Sequence, residues 1–190
     1  ERAKAIDFFR SYQAPVVDTL ASAINMLLNP NSYQQGAWTL HMLRNEVGDS
    51  IFWQVLKNYY SLHKYDNAST NNFIDVVKKV TGTDYSDFFK QWLKTTGHPI
   101  LEVEWKELKS GQIDITVKQK QKEIFAFDIP IYMSTTGLGK HSVLKIEKKK
   151  QSFRIECSDP VLEILLDEQV KLFFEGRVIK KSEQNSVIGK

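Results

Sequence analysis

The chain has 190 residues, enough for one large domain or two small ones, and 42% of them are hydrophobic against 26% charged, which excludes disorder over most of its length. Its net charge of +3 comes from 26 basic and 23 acidic residues interspersed along the sequence, so it has no large single-sign field and nucleic acid is excluded as an expected partner. No stretch reaches the ~18 apolar residues that a membrane-spanning segment needs, and the single cysteine, Cys157, rules out an intrachain disulfide or a cysteine-rich metal site.

Residues 1–97 read as helices. ERAKAIDFFRSY places Ile6, Phe9 and Arg10 on one side and ends before Pro15, a helix stop. In NPNSYQQGAWTLHMLRNEVGD, Asn31 and Ser32 are good N-caps, and Ser32 with Gln35 has the capping-box form. Gly36, Leu40, Leu43 and Val47 then recur at helical spacing, and Gly48 fits the left-handed position that closes a helix. Asp49 caps the next run, whose broad apolar face is Phe52, Val55, Leu56, Tyr59 and Tyr60. After the loop DNAST, Thr70 starts a helix with Phe73, Val76, Val77 and Val80, closed by Gly82. Asp84 starts another with Phe88, Trp92 and Leu93, closed by Gly97.

After Pro99 the period changes to two. LEVEWKEL, QIDITVKQK, FDIPIYM, HSVLKIE, SFRIEC, VLEILL and VKLFFEG are separated by turn signals such as LKSGQ, TTGLGK and SDP. They predict a small antiparallel β-sandwich of about seven strands over residues 98–181, followed by a flexible tail at 182–190. The fold class is thus α+β with the two kinds of element segregated. Pro130 in the third run points to an edge strand or a bulge. Cys157, at the end of an alternating stretch, reads as a buried thiol rather than a nucleophile. Lys148, Lys149 and Lys150 form one local charge run, read as a solvated turn in preference to a phosphate-binding patch.

By spacing alone the sequence holds no complete active site. His41, His63, His98 and His141 include no H-E-x-x-H and no close pair, whereas zinc requires three or four ligands converging at about 2 Å. TGLGK lacks the first glycine of a P-loop and lies between strands, and no G-x-S-x-G is present.

The ordered series Tyr33, Gly36, Leu40, Leu43, Gly48, Asp49, Phe52, Phe89, Trp92, Leu93, Gly97, Pro99 and Val103 resembles the zinc aminopeptidases of the aminopeptidase N and leukotriene hydrolase type. In that family a Tyr-x-x-Gly turn opens a helix with an apolar face, followed by Gly-Asp and Phe. Further on come Phe-x-x-Trp, Gly-x-Pro and the first strand of a β-sandwich. The resemblance runs from about residue 10 to 106, and the sandwich matches by position and pattern. It implies that residues 1–97 are the helical C-terminal part of a thermolysin-like catalytic domain. It also implies that Tyr33 donates its hydroxyl to the oxyanion of the tetrahedral intermediate, and that the parent protein acts on peptide substrates with zinc as cofactor.

The family's Gly-x-Met-x-Asn strand and its H-E-x-x-H helix are absent from these residues. The resemblance therefore implies that this chain alone is inactive and that its partner is the missing N-terminal part of the catalytic domain. Apolar faces that such a part would cover imply self-association of the chain on its own. Two alternatives remain: a non-catalytic helical and β-sandwich binding module, and a pseudoenzyme whose full length also lacks the zinc ligands.

Overall fold

A computed structural model describes residues 2–11, 14–18, 30–108 and 111–181. The chain is α+β and divides into two units: Glu1–Gly97 with Lys171–Phe173, and His98–Val170 with Phe174–Lys190.

The first unit contains helices α1 (Arg2–Ser11), α2 (Pro30–Val47), α3 (Asp49–His63), α4 (Thr70–Thr81) and α5 (Ser86–Phe89). The last runs on into a π-helical turn at Lys90–Lys94. Their shared core is Leu43, Phe52, Val55, Val76, Val77, Phe89 and Leu93. Edge-to-face rings extend it, with Tyr59 on Phe73 at 5.1 Å and Phe73 on Phe89 at 5.9 Å, the geometry that the ring quadrupole favours.

Helix α4 shows how local signals set boundaries. Ser69 and Asn72 cap it reciprocally, the Asn72 side chain accepting the Ser69 N–H at 2.8 Å while Ser69 Oγ accepts the Asn72 N–H at 3.4 Å. Gly82, with φ of 73°, takes the left-handed position that ends the helix. Between them, Val76 and Val77 are buried.

Helices α2 and α3 depart from their sequence reading. Helix α2 begins at Pro30, a residue suited to the first helical position because its missing N–H has no partner there anyway. Asn31 and Ser32 therefore lie within the first turn rather than at the cap. Gly48, with φ of 81°, caps α3, and Asp49 is its first helical residue. Leu40 and Tyr60, placed on apolar faces by spacing, are exposed, and Arg10 reaches out to Asp7 at 3.3 Å. The Phe9 side chain and the tail at 182–190 lie outside what is described.

The second unit holds seven strands: β1 (Ile100–Leu108), β2 (Gln112–Gln119), β3 (Phe127–Thr135), β4 (Lys140–Ile146), β5 (Lys150–Glu156), β6 (Val161–Leu166) and β7 (Glu175–Lys180). They form a sheet in the order β5-β2-β1-β7 and another in the order β4-β3-β6. Alternation buries Leu101, Val103 and Trp105 on β1, Ile113, Ile115 and Val117 on β2, and Ile129, Ile131 and Met133 on β3.

The antiparallel rule has one exception, since β1 and β7 pair in parallel. The seventh strand also lies later than VKLFFEG suggests. Phe173 leaves the sandwich pattern and stacks on Trp38 of α2 at 5.7 Å, within the helical unit, and Arg2 donates to Leu172 O at 3.2 Å. Pro130 sits in the middle strand of its sheet rather than at an edge. Its carbonyl accepts the Asp167 N–H at 2.8 Å, just past the end of β6, so its missing N–H falls where that ladder has stopped. The β-bulge lies instead at Ser134/Thr135. Cys157 is half-buried, its thiol directed to Asp159 O at 3.4 Å, because β5 is an edge strand that covers its inner residues only in part.

Candidate functional site

Tyr33 stands on the first turn of α2 with 64% of its surface exposed. What holds that turn is Gln35, which is only 2% exposed. Its Nε2 donates to Trp92 O at 3.1 Å and to Gly97 O at 3.4 Å. Both carbonyls lie near the end of the π-helical turn and beyond, where a helix leaves acceptors without intrahelical donors. Gln35 thus serves two orphan acceptors and takes no part in a capping box. Its own Oε1 is buried with no hydrogen-bond partner among the described residues. One turn on, buried Thr39 returns its hydroxyl to Gln35 O at 2.8 Å. The segment 14–18 closes the same region, with Val17 N–H donating to Leu93 O at 2.9 Å.

Helix α2 has one buried side, which takes in two polar residues beside its apolar ones, and one exposed side. Gln35, Thr39, Met42 and Leu43 point inward, whereas Tyr33, Ala37 and Leu40 share the outward face by their spacing of four and three. Arg44 continues that face and turns it into α3. Its Nε and Nη2 donate to the two carboxylate oxygens of Asp49 at 2.8 and 2.7 Å, and its guanidinium lies 5.7 Å from the ring of Trp53. Hydrogen bonding to Asp49 raises the Arg44 pKa, and hydrogen bonding to Arg44 lowers that of Asp49, so both stay ionised over the working range.

The outward face carries the Tyr33 hydroxyl and an anchored cation, Arg44. The histidines do not join it: His41 contacts Asn45 at 3.2 Å, His63 packs on Tyr59, and His141 packs on Tyr132. His98 is buried in the second unit, where Nε2 shares a 2.8 Å hydrogen bond with Glu175 Oε1. Among the described residues no three His, Cys, Asp or Glu side chains come together to hold a metal ion, so the residues present do not make a zinc site. A groove of about 510 Å³ on the four-stranded sheet is lined by paired charges such as Asp114 with Arg154, and by Thr116 and Ser152 at 3.0 Å. Its Glu104 carboxylate is likewise held, by Lys118 at 2.7 Å and Lys181 at 2.8 Å.

Gly36, beside this turn, is not demanded by its described neighbours. A Cβ there would meet Val16 Cγ1 at 3.8 Å, an ordinary contact. The signals that spacing could not supply were the burial of Gln35 and the loan of Phe173 to the helical unit, both set by residues far away in sequence.

Comparison with known proteins locates this geometry. Residues 2–92 match the peptidase family M1 domain. Aminopeptidase N of Lactococcus lactis subsp. lactis is 29% identical over 115 residues, 56% of this chain and 13% of that protein. The probable aminopeptidase 2 of Sulfurisphaera tokodaii is 24% identical over 151 residues, 78% of this chain and 19% of that protein. Among solved structures, Legionella pneumophila aminopeptidase A in complex with aspartic acid aligns over 83% of this chain and 19% of that one, with a TM-score of 0.67 at 15% identity, a likeness of fold. The chain thus spans less than a fifth of the length of each of these proteins, and it resembles the M1 aminopeptidases as the series from Tyr33 to Val103 indicated.

Proposed function

We propose, from this kinship with the M1 peptidases, that the chain is the C-terminal part of a zinc metalloaminopeptidase that removes N-terminal residues from peptides. Zinc and its general base belong, in this reading, to segments of the longer protein outside these 190 residues. The observation that carries the proposal is the exposure of Tyr33 on a first turn of α2 that buried Gln35 holds in place. In this reading the exposed side of α2 meets the N-terminal part of the catalytic domain.

Tyr33 is the residue assigned to the chemistry. A phenol is a neutral O–H donor at pH 7, suited to an oxygen that gains negative charge as a peptide carbonyl is attacked. Gln35 fixes the turn two residues away, so the donor is placed before the reaction rather than recruited during it. One such donor is worth about 2.7–4 kcal/mol of transition-state stabilisation.

The test is Tyr33→Phe in the longer aminopeptidase. Turnover is expected to fall roughly 10²–10³-fold with KM little changed, because the interaction is made only in the transition state. Undiminished turnover would remove Tyr33 from the mechanism. On its own, the present chain is expected to self-associate through Tyr33, Leu40 and Trp53. Sedimentation showing a monomer at high concentration would contradict the covering role assigned to this face.

A further inference from the structure

The lysine run at 148–150 has no part in the peptidase reading, and the structure enlarges it. Strand β2 ends at Gln119, whose side chain is 2% exposed and ties two loops together. Its N–H donates to Lys149 O at 2.9 Å, and its Nε2 to Lys148 O at 3.2 Å and Phe125 O at 2.8 Å. Its Oε1 accepts the Phe125 N–H at 3.0 Å. Gln121 adds a second tie, accepting the Ile100 N–H at 2.8 Å and donating to Glu123 O at 2.9 Å, while Lys149 Nζ donates to Gln121 O. The loop 120–126 and the turn 147–149 are thereby one fixed platform.

Lys120, Lys122, Lys148, Lys149 and Lys150 are all exposed on it, and Ile124 stands among them 52% exposed. Its carboxylates are local: Glu123 lies 3.8 Å from Lys122, and Glu147 lies 2.9 Å from Lys145. Among the described residues Lys120, Lys148, Lys149 and Lys150 have no ion pair. Lys120 still acts on Glu102 and Lys148 on Glu147 at longer range, and with Glu123 and Glu147 set against its five lysines the platform remains net positive.

We propose that this platform docks the protein on an anionic membrane surface, a peripheral contact that does not depend on the peptidase reading. The composition selects this occupant. Lysines on a projecting pair of loops attract a diffuse layer of anionic headgroups as point charges, and a neighbouring isoleucine enters the apolar boundary. Nucleic acid is matched less well, since the platform presents no arginine fork for phosphate or base edges and no aromatic ring for stacking. An acidic peptide is matched less well because the lysines lie on loops with no apolar groove between them to seat side chains.

The experiment is co-sedimentation of the chain with phosphatidylcholine vesicles, with and without phosphatidylserine, at low and high salt. Binding is expected only with phosphatidylserine and is lost at high salt. Each lysine near the surface raises partitioning by roughly fivefold, so the Lys148→Gln, Lys149→Gln, Lys150→Gln triple variant is expected to bind on the order of a hundredfold less. Ile124→Ser is expected to weaken binding without changing its salt dependence. As these side chains are exposed, circular dichroism should show all variants folded. Equal binding to neutral vesicles, unchanged binding of the triple variant, or binding to polyglutamate or RNA with none to phosphatidylserine vesicles would each overturn the proposal.

Discussion

The two units treat their apolar residues differently. In the sandwich, alternation and burial agree: Ile113, Ile115 and Val117 are inside, while Asp114, Thr116 and Lys118 between them are partly exposed. In the helical unit, α2 buries a glutamine and a threonine and exposes a tyrosine and a leucine. Strand β2 thus satisfies its own pattern, while elsewhere in the same unit Leu138, Val143 and Leu162 stand exposed. The first turns of α2 instead bury polar side chains, and the proposal above assigns their exposed side to a contact beyond these residues.

The largest expected difference lies in core truncation. Ile115→Ala, at a fully buried site on β2, should cost about 2–5 kcal/mol in the sandwich by lost burial and the cavity left behind. Leu40→Ala on the outward face of α2 should change stability by only about 0.5 kcal/mol or less while reducing self-association. Equal losses in denaturant melts would erase the contrast between the units.

Next in size is Gln35→Leu. It removes two hydrogen bonds, to Trp92 O and to Gly97 O, each worth about 0.5–1.5 kcal/mol. Amide exchange should quicken in the first turn of α2 and in residues 90–97 together. Faster exchange in neither place would show that the glutamine does not hold the turn.

Gly36→Ala should have the opposite sign. The Cβ has room against Val16, and a helical glycine costs roughly 0.5–1 kcal/mol relative to alanine, so the variant of this chain should be more stable. Destabilisation would mean that the glycine is needed inside the unit.

The smallest effect is the share of the pH dependence that one sandwich carboxylate carries. Hydrogen bonds from Lys118 and then Lys181 hold the Glu104 carboxyl down to about 2, from an ordinary 4.5. A depressed carboxylate contributes stability above its unfolded pKa and loses it as the pH falls towards the folded value. Melting temperature should therefore drop between pH 4.5 and about 2, and Glu104→Gln should flatten part of that drop. A profile identical in the variant would assign the acid sensitivity to other groups.

How much of this was legible in the sequence follows from how local each determinant is. Helix α4 could be read almost to the residue because Ser69, Asn72 and Gly82 act on their own neighbours. The β2 strand could be read because alternation over Gln112–Gln119 coincides with burial. The start of α2 could not: Gln35 looked like a capping residue, and the Trp92 and Gly97 carbonyls that claim it come about sixty residues later. VKLFFEG looked like a strand because its apolar residues suit one, yet Phe173 belongs to the helical unit and stacks there on Trp38. Tyr33 stands out in the sequence only through the family motif, and what geometry adds is its exposure on the first turn of α2.

The most direct measurement is hydrolysis of a panel of aminoacyl-anilides by this chain, with and without added zinc. If Tyr33 is half of a divided site, there is no turnover and no tight zinc binding. Zinc-dependent turnover that survives Tyr33→Phe would place the catalytic residues elsewhere in these 190 positions and contradict the central claim.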